Sequence, residues 1–132
     1  MSTKDKLIYF VDDDKLILNL LEYTFSNREG YEVQSFLTGA DCLAQLSRSP
    51  RVVVVDHYFS KNDSSSQTGM DVLKTIKSTH PEVEVVILSN QNEKELIDEY
   101  LKQGAFKFIK KNDYFIDELI NTLEQIFSQS RN

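Results

Sequence analysis

The sequence predicts an α/β protein built on a single doubly wound parallel sheet of five strands, with helices on both faces. Three observations carry this. Five short apolar runs alternate strictly with longer segments of 3.6-residue apolar period. The runs "VVVV" (52–55) and "VVIL" (85–88) lack polar alternation, as strands covered on both faces do. The chain of 132 residues, 40% hydrophobic and 27% charged with two prolines and four glycines, has the size and composition of one ordered domain with a real core.

The first strand is "LIYFV" (7–11), which runs straight into Asp12, Asp13 and Asp14. Leu16, Ile17, Leu20, Leu21 and Phe25 then recur at helical spacing, and Asp14 stands where an N-cap belongs. Gly30 follows this helix and precedes the second strand, "YEVQSF" (31–36). Ala40, Leu43 and Leu46 mark a second helix, on which Cys42 is a small apolar residue. After the third strand, "VVVV", comes "FSKNDSSSQTG" (59–69), polar, serine-rich and long for a strand-to-helix connection. An exposed, mobile loop is expected there. Met70, Leu73 and Ile76 define the third helix, and "VEVVIL" (83–88) the fourth strand. Asn92 and Glu95 have the spacing of a capping box ahead of a fourth helix carrying Leu96, Ile97, Tyr100 and Leu101. Gly104 closes that helix, "FKFI" (106–109) is the fifth strand, and Phe115, Leu119, Leu123 and Ile126 form the last helix.

The formal charge of −6, with no basic cluster beyond Lys107, Lys110 and Lys111, argues against direct nucleic-acid binding. One cysteine excludes an intramolecular disulfide and a cysteine-cluster metal site. The opening "MSTKDK" has no apolar signal region, and no apolar run approaches the roughly 20 residues that cross a bilayer. No membrane association and a cytoplasmic, reduced location are expected.

In an open parallel sheet, ligands bind beyond the carboxyl ends of the strands, where the strand order reverses. The residues there are Asp12, Asp13 and Asp14 after the first strand, Asp56 after the third, Ser89 after the fourth and Lys111 after the fifth. Adjacent strands lie about 4.8 Å apart, so the acids of the first and third strands become neighbours. Two charges about 5 Å apart at an effective dielectric of about 20 repel by roughly 3 kcal/mol. Either some pKa values rise or a cation sits between the acids, and an all-oxygen set with open positions suits Mg²⁺.

Taken together, "VDDD", "VVVVD", "GMDVLKTIK", "VVILS" and "GAFKFIKK", in this order and spacing, resemble the receiver domain of two-component response regulators, the CheY-like, flavodoxin-like fold. The resemblance covers about residues 5–128 of a single domain spanning 1–132 and implies the strand order 2-1-3-4-5 with five helices. It implies a phosphorylation-dependent signalling switch rather than a multiple-turnover enzyme. Asp56 is then the phosphoacceptor, served by a histidine kinase or a phosphotransfer protein. Asp13, Asp56 and the backbone carbonyl of Tyr58 ligate Mg²⁺, with Asp12 acting mostly through a bound water. Ser89 hydrogen-bonds the phosphoryl group, Lys111 pairs with one of its oxygens, and Ser89 and Phe108 are the switch residues. The readout surface is the fourth helix, fifth strand and fifth helix, with Tyr100, Lys107 and Tyr114 as candidate contacts for a downstream protein, an output domain or a second copy.

The chain departs from the family pattern at Ser60 and Asn112, which stand where prolines are usual, and in the length of the loop to Gly69. Asn90 replaces a small residue, and bulky Tyr58 is expected to screen the phosphoryl group from water. His57 is expected to face solvent, and His80 to be incidental. Two other readings compete. A haloacid-dehalogenase-type phosphohydrolase uses a first-strand Asp-x-Asp, which Asp12 and Asp14 supply with Asp12 as nucleophile, but it leaves Asp56 idle. A receiver-like interaction module that no longer takes phosphate keeps the fold and loses the chemistry.

Overall fold

All five residues of the first predicted strand are buried, Leu7, Tyr9 and Val11 in one core cluster and Ile8 and Phe10 in another. That division runs through the whole protein, seen here as a computed structural model that describes residues 6–57 and 68–129. The elements are β1 (Lys6–Val11), α1 (Lys15–Ser26), β2 (Tyr31–Phe36), α2 (Gly39–Leu43), β3 (Val52–Asp56), α3 (Gly69–Thr79), β4 (Glu84–Ser89), α4 (Lys94–Lys102), β5 (Lys107–Lys110) and α5 (Phe115–Ser128). The five strands form one sheet in the order β2-β1-β3-β4-β5, with every pair parallel. This is the predicted order.

Successive strand residues point to opposite faces, and helices cover both. Leu18, Leu21 and Phe25 of α1 and Leu119, Leu123 and Ile126 of α5 pack with Ile8, Phe10, Val52, Val54, Val86 and Leu88. On the other face, Cys42 of α2, Val72, Leu73 and Ile76 of α3, and Tyr100 of α4 pack with Tyr9, Val53, Val55, Val85 and Ile87. The central strands are therefore apolar on both sides, which explains their unbroken valine runs. At the edge, β2 is only partly covered, and Arg48 ties two of its residues together with bonds of 2.6 Å to Gln34 and 2.7 Å to Glu32.

Local chemistry sets the helix ends. Asp14 caps α1, its carboxylate accepting from the Leu16 and Ile17 amides at 2.9 and 3.4 Å. Thr68 and Asp71 form a reciprocal capping box at α3. Gly104 follows α4 at φ 108°, and Gly30 precedes β2 at φ 86°, both in the left-handed region open to glycine. Two expectations fail. The second helix ends at Leu43, and Leu46 belongs to a separate 3-10 turn, Leu46–Arg48. Asn92 does not cap α4: the N-cap is Glu93, which makes no side-chain cap bond. The helix starts one residue later than the box requires, so Asn92 and Glu95 are out of step with it. The predicted loop 59–69 lies mostly outside the described residues; Gly69 is already the first residue of α3.

Candidate functional site

Strand register lines up the polar groups. Val11 of β1 pairs with Val55 of β3, so the next residues on each strand, Asp12 and Asp56, stand side by side. Asp56 pairs with Leu88, and Ser89 with Lys110, which brings His57 beside Ser89 and places Lys111 one step beyond. Backbone bonds continue the ladder past the strands: Asp12 N–H donates to the Phe36 carbonyl at 3.1 Å, His57 N–H to Leu88 at 2.8 Å, and Lys111 N–H to Ser89 at 2.8 Å. No described peptide bond is cis, that between Lys111 and Asn112 included.

A pocket of about 320 Å³ opens at this end of the sheet, lined by Asp12, Asp13, Asp14, Asp56, His57, Ser89, Asn90, Gln91 and Lys111. One carboxylate oxygen from each of Asp12, Asp13 and Asp56 lies within 4.8 Å of the other two. Asp12 and Asp56 are buried, at 2% and 6% exposure, whereas Asp13 is exposed. Lys111 bridges the buried pair, its Nζ 2.9 Å from Asp12 Oδ2 and 2.9 Å from Asp56 Oδ1. The other Asp12 oxygen accepts from the Asp14 amide at 2.9 Å. Ser89 is buried too, its Oγ accepting from the Gln91 amide at 3.0 Å.

Three carboxylates and one ammonium leave negative charge in excess. Burial pushes the Asp56 carboxyl from 3.8 up to about 6, with the Asp12 charge adding to the shift and Lys111 opposing it. Burial also raises Asp12 above its ordinary range, against the Asp14 amide and Lys111. For Lys111, burial alone lowers the pKa, but hydrogen bonding to Asp56 and the charges of both acids reverse this and hold it above its usual value. The donor set is all oxygen, clustered and short of positive charge, which fits a hard divalent cation.

The residues brought together are Asp12, Asp13, Asp56, Ser89 and Lys111. Tyr58 lies outside the described residues. Phe108 on β5 is partly buried against the core, its ring 5.7 Å from that of Tyr100. Two expectations are corrected. His57 does not face solvent: it is half-buried, and its Nδ1 is hydrogen-bonded to the Tyr100 hydroxyl. Tyr100 is not a surface contact, because it is fully buried. Its apolar spacing with Leu96 and Ile97 was the feature that pointed inward. Lys107 and Tyr114 do reach the surface, Tyr114 at 73% exposure.

Residues 8–124 match the family described as response regulator receiver domain. The chain is 30% identical over 123 residues to the DNA-binding transcriptional regulator NtrC of Escherichia coli K12, covering 92% of this chain and 25% of that protein. It is 30% identical over 125 residues to the nitrogen assimilation regulatory protein NtrX of Azorhizobium caulinodans, covering 94% of this chain and 26% of that protein. The chain thus spans about a quarter of the length of these curated relatives. Among solved structures, the receiver domain of NtrX from Brucella abortus superposes with a TM-score of 0.80 at 31% identity, over 93% of this chain and 99% of that one.

Proposed function

The chain belongs to the response regulator receiver family, and from that premise we propose that it works as a switch set by phosphorylation of Asp56. Domains of this family are signalling modules rather than multiple-turnover enzymes, so the hydrolase reading with Asp12 as nucleophile falls away. The observation that carries the proposal is the placement of Asp56. It is a buried carboxylate lining a pocket, with an ammonium 2.9 Å from one oxygen and two further acids close by.

Asp12, Asp13 and Asp56 are the described residues that would hold Mg²⁺; the Tyr58 carbonyl is assigned by the resemblance alone. The ion, when bound, supplies charge neutralisation for the acids and for the incoming phosphoryl oxygens. The donor is a phosphohistidine of a histidine kinase or phosphotransfer protein. An oxygen of ionised Asp56 attacks phosphorus, the new P–O bond forms as the P–N bond breaks, and the bonding pair leaves on the donor's imidazole nitrogen. Lys111, already paired with Asp56, moves its charge to a phosphoryl oxygen. The Ser89 hydroxyl accepts from Gln91 and so keeps its own proton free to donate to the phosphoryl group. The resulting shift biases Phe108 and the α4–β5–α5 surface, where Lys107 and Tyr114 meet an output domain, a downstream protein or a second copy.

The test is phosphoryl incorporation from acetyl phosphate, followed by intact-protein mass spectrometry with and without Mg²⁺. Wild type should gain one Mg²⁺-dependent phosphoryl group, and Asp56→Asn should gain none. Equal labelling of both proteins, or no labelling of wild type with Mg²⁺ present, would overturn the proposal; the second result would leave a non-phosphorylated interaction module. Light scattering before and after labelling reports whether the switch dimerises the chain.

A further inference from the structure

One deeply buried side chain fastens α4 to the body of the domain. Of the nine residues in this helix, Tyr100 is the one that is buried; Leu96 and Ile97 are partly covered, and Leu101 is 46% exposed. The Tyr100 ring lies 5.4 Å from His57 in an edge-on arrangement at 85°, and 5.7 Å from Phe108. Its hydroxyl is hydrogen-bonded to Nδ1 of His57, the residue that follows Asp56. The same hydroxyl lies against Gly69, the first residue of α3. A single phenolic oxygen therefore bonds α4 to the end of β3 and sits against the start of α3.

Gly69 makes room for that junction. A Cβ at this position would lie 2.9 Å from the Tyr100 hydroxyl, 3.0 Å from the Asp56 carbonyl oxygen and 3.1 Å from His57 Cα. The Gly69 amide in turn donates to the His57 carbonyl at 3.1 Å. The missing side chain thus lets the hydroxyl, the backbone of the acceptor strand and the α3 N-terminus close on one another.

We propose that Tyr100 is a positioning residue whose hydroxyl ties the seat of α4 to the end of β3, so that a change at Asp56 reaches α4 through His57. This rests on the phosphoacceptor reading given above. The physical reason is the absence of an alternative. The Tyr100 side chain is fully buried, so a hydroxyl that loses its partner is left unsatisfied away from bulk solvent, and α4 has no second buried residue to hold it when His57 shifts. This route starts at the end of β3, whereas Ser89 lies at the end of β4 and Phe108, on β5, has its ring 5.7 Å from that of Tyr100.

The test uses the full chain and Tyr100→Phe, which keeps the ring and removes only the hydroxyl. Amide hydrogen exchange and backbone NMR are measured with and without Mg²⁺ plus beryllofluoride. Before any addition, the α4 amides of the variant should exchange about 3- to 10-fold faster than those of wild type, while α1 and α5 are unchanged. On addition, the Ser89 and Lys111 amides should respond as in wild type, and the α4 response should fall by at least half. Adding His57→Phe to Tyr100→Phe should change α4 no further. Exchange and response in α4 equal to wild type would overturn the proposal, as would equal acceleration in every helix, which marks a plain core residue. If wild type shows no response at Ser89 and Lys111, the phosphoacceptor reading fails instead. The ligand-free comparison still decides the tether in that case.

Discussion

Replacing Asp56 by asparagine should stabilise the metal-free fold at neutral pH, although it removes the proposed site of phosphorylation. The folded state pushes this carboxyl from 3.8 up to about 6, chiefly by burial and then by the Asp12 charge. Below pH 4 the group is protonated in both folded and unfolded chains, and it contributes no difference. Between pH 4 and 6 the folded chain holds a proton that the unfolded chain releases, so stability falls as pH rises. Above pH 6 both states are ionised and the penalty is complete. A displacement of this size corresponds to about 3 kcal/mol. An amide is isosteric with the protonated acid, and its carbonyl can still face Lys111, now 2.9 Å from Asp56 Oδ1. The expected gain for Asp56→Asn is therefore about 1–3 kcal/mol at pH 7.5, shrinking toward zero at pH 4. Urea denaturation of both proteins in EDTA across this range measures it. Equal or lower stability of the variant at pH 7.5, or a gain that persists unchanged to pH 4, would refute the reasoning.

Other outcomes follow from the same geometry. Lys111→Ala strips an ammonium 2.9 Å from both Asp12 and Asp56; it should lower stability at pH 7.5 by about 3–5 kcal/mol, with much of the loss recovered near pH 4.5. Asp14→Ala removes the cap that accepts from Leu16 and Ile17 and should cost about 0.5–2 kcal/mol in urea denaturation, with phosphoryl uptake at Asp56 retained. Cys42 is fully buried, and burial pushes its thiol up to about 12; a disulfide reagent should label it only as fast as the chain opens, and labelling that saturates with reagent at the unfolding rate is the check.

The fold was legible because its strongest features are local and periodic. Runs such as 52–55 have no polar residue to turn toward water, and that alone demands cover on both faces. The acids and Lys111 were legible as a site for a related reason: each falls one or two residues past an apolar run, and parallel strands bring such positions to a common end. The N-cap role of Asp14 was equally readable, since a short acceptor before a helical period has one natural partner. The start of α4 was not, because Asn92 and Glu95 satisfy the spacing rule for a helix that begins at Glu93, one residue earlier than the helix that forms.

What the sequence determined by itself was the alternation of strands and helices and the set of residues that reach the strand ends, since hydrophobic period and chain direction settle both. Only the tertiary structure decided which charges share a low-dielectric site and which lie open. Asp12 is buried under Lys111 while Asp13, the next residue, is exposed. Likewise, the inward turn of Tyr100 onto His57 depends on an approach permitted by Gly69, 31 residues earlier in the chain. Contacts of that kind join positions with no relation in period or spacing, so they exist only once the chain is packed.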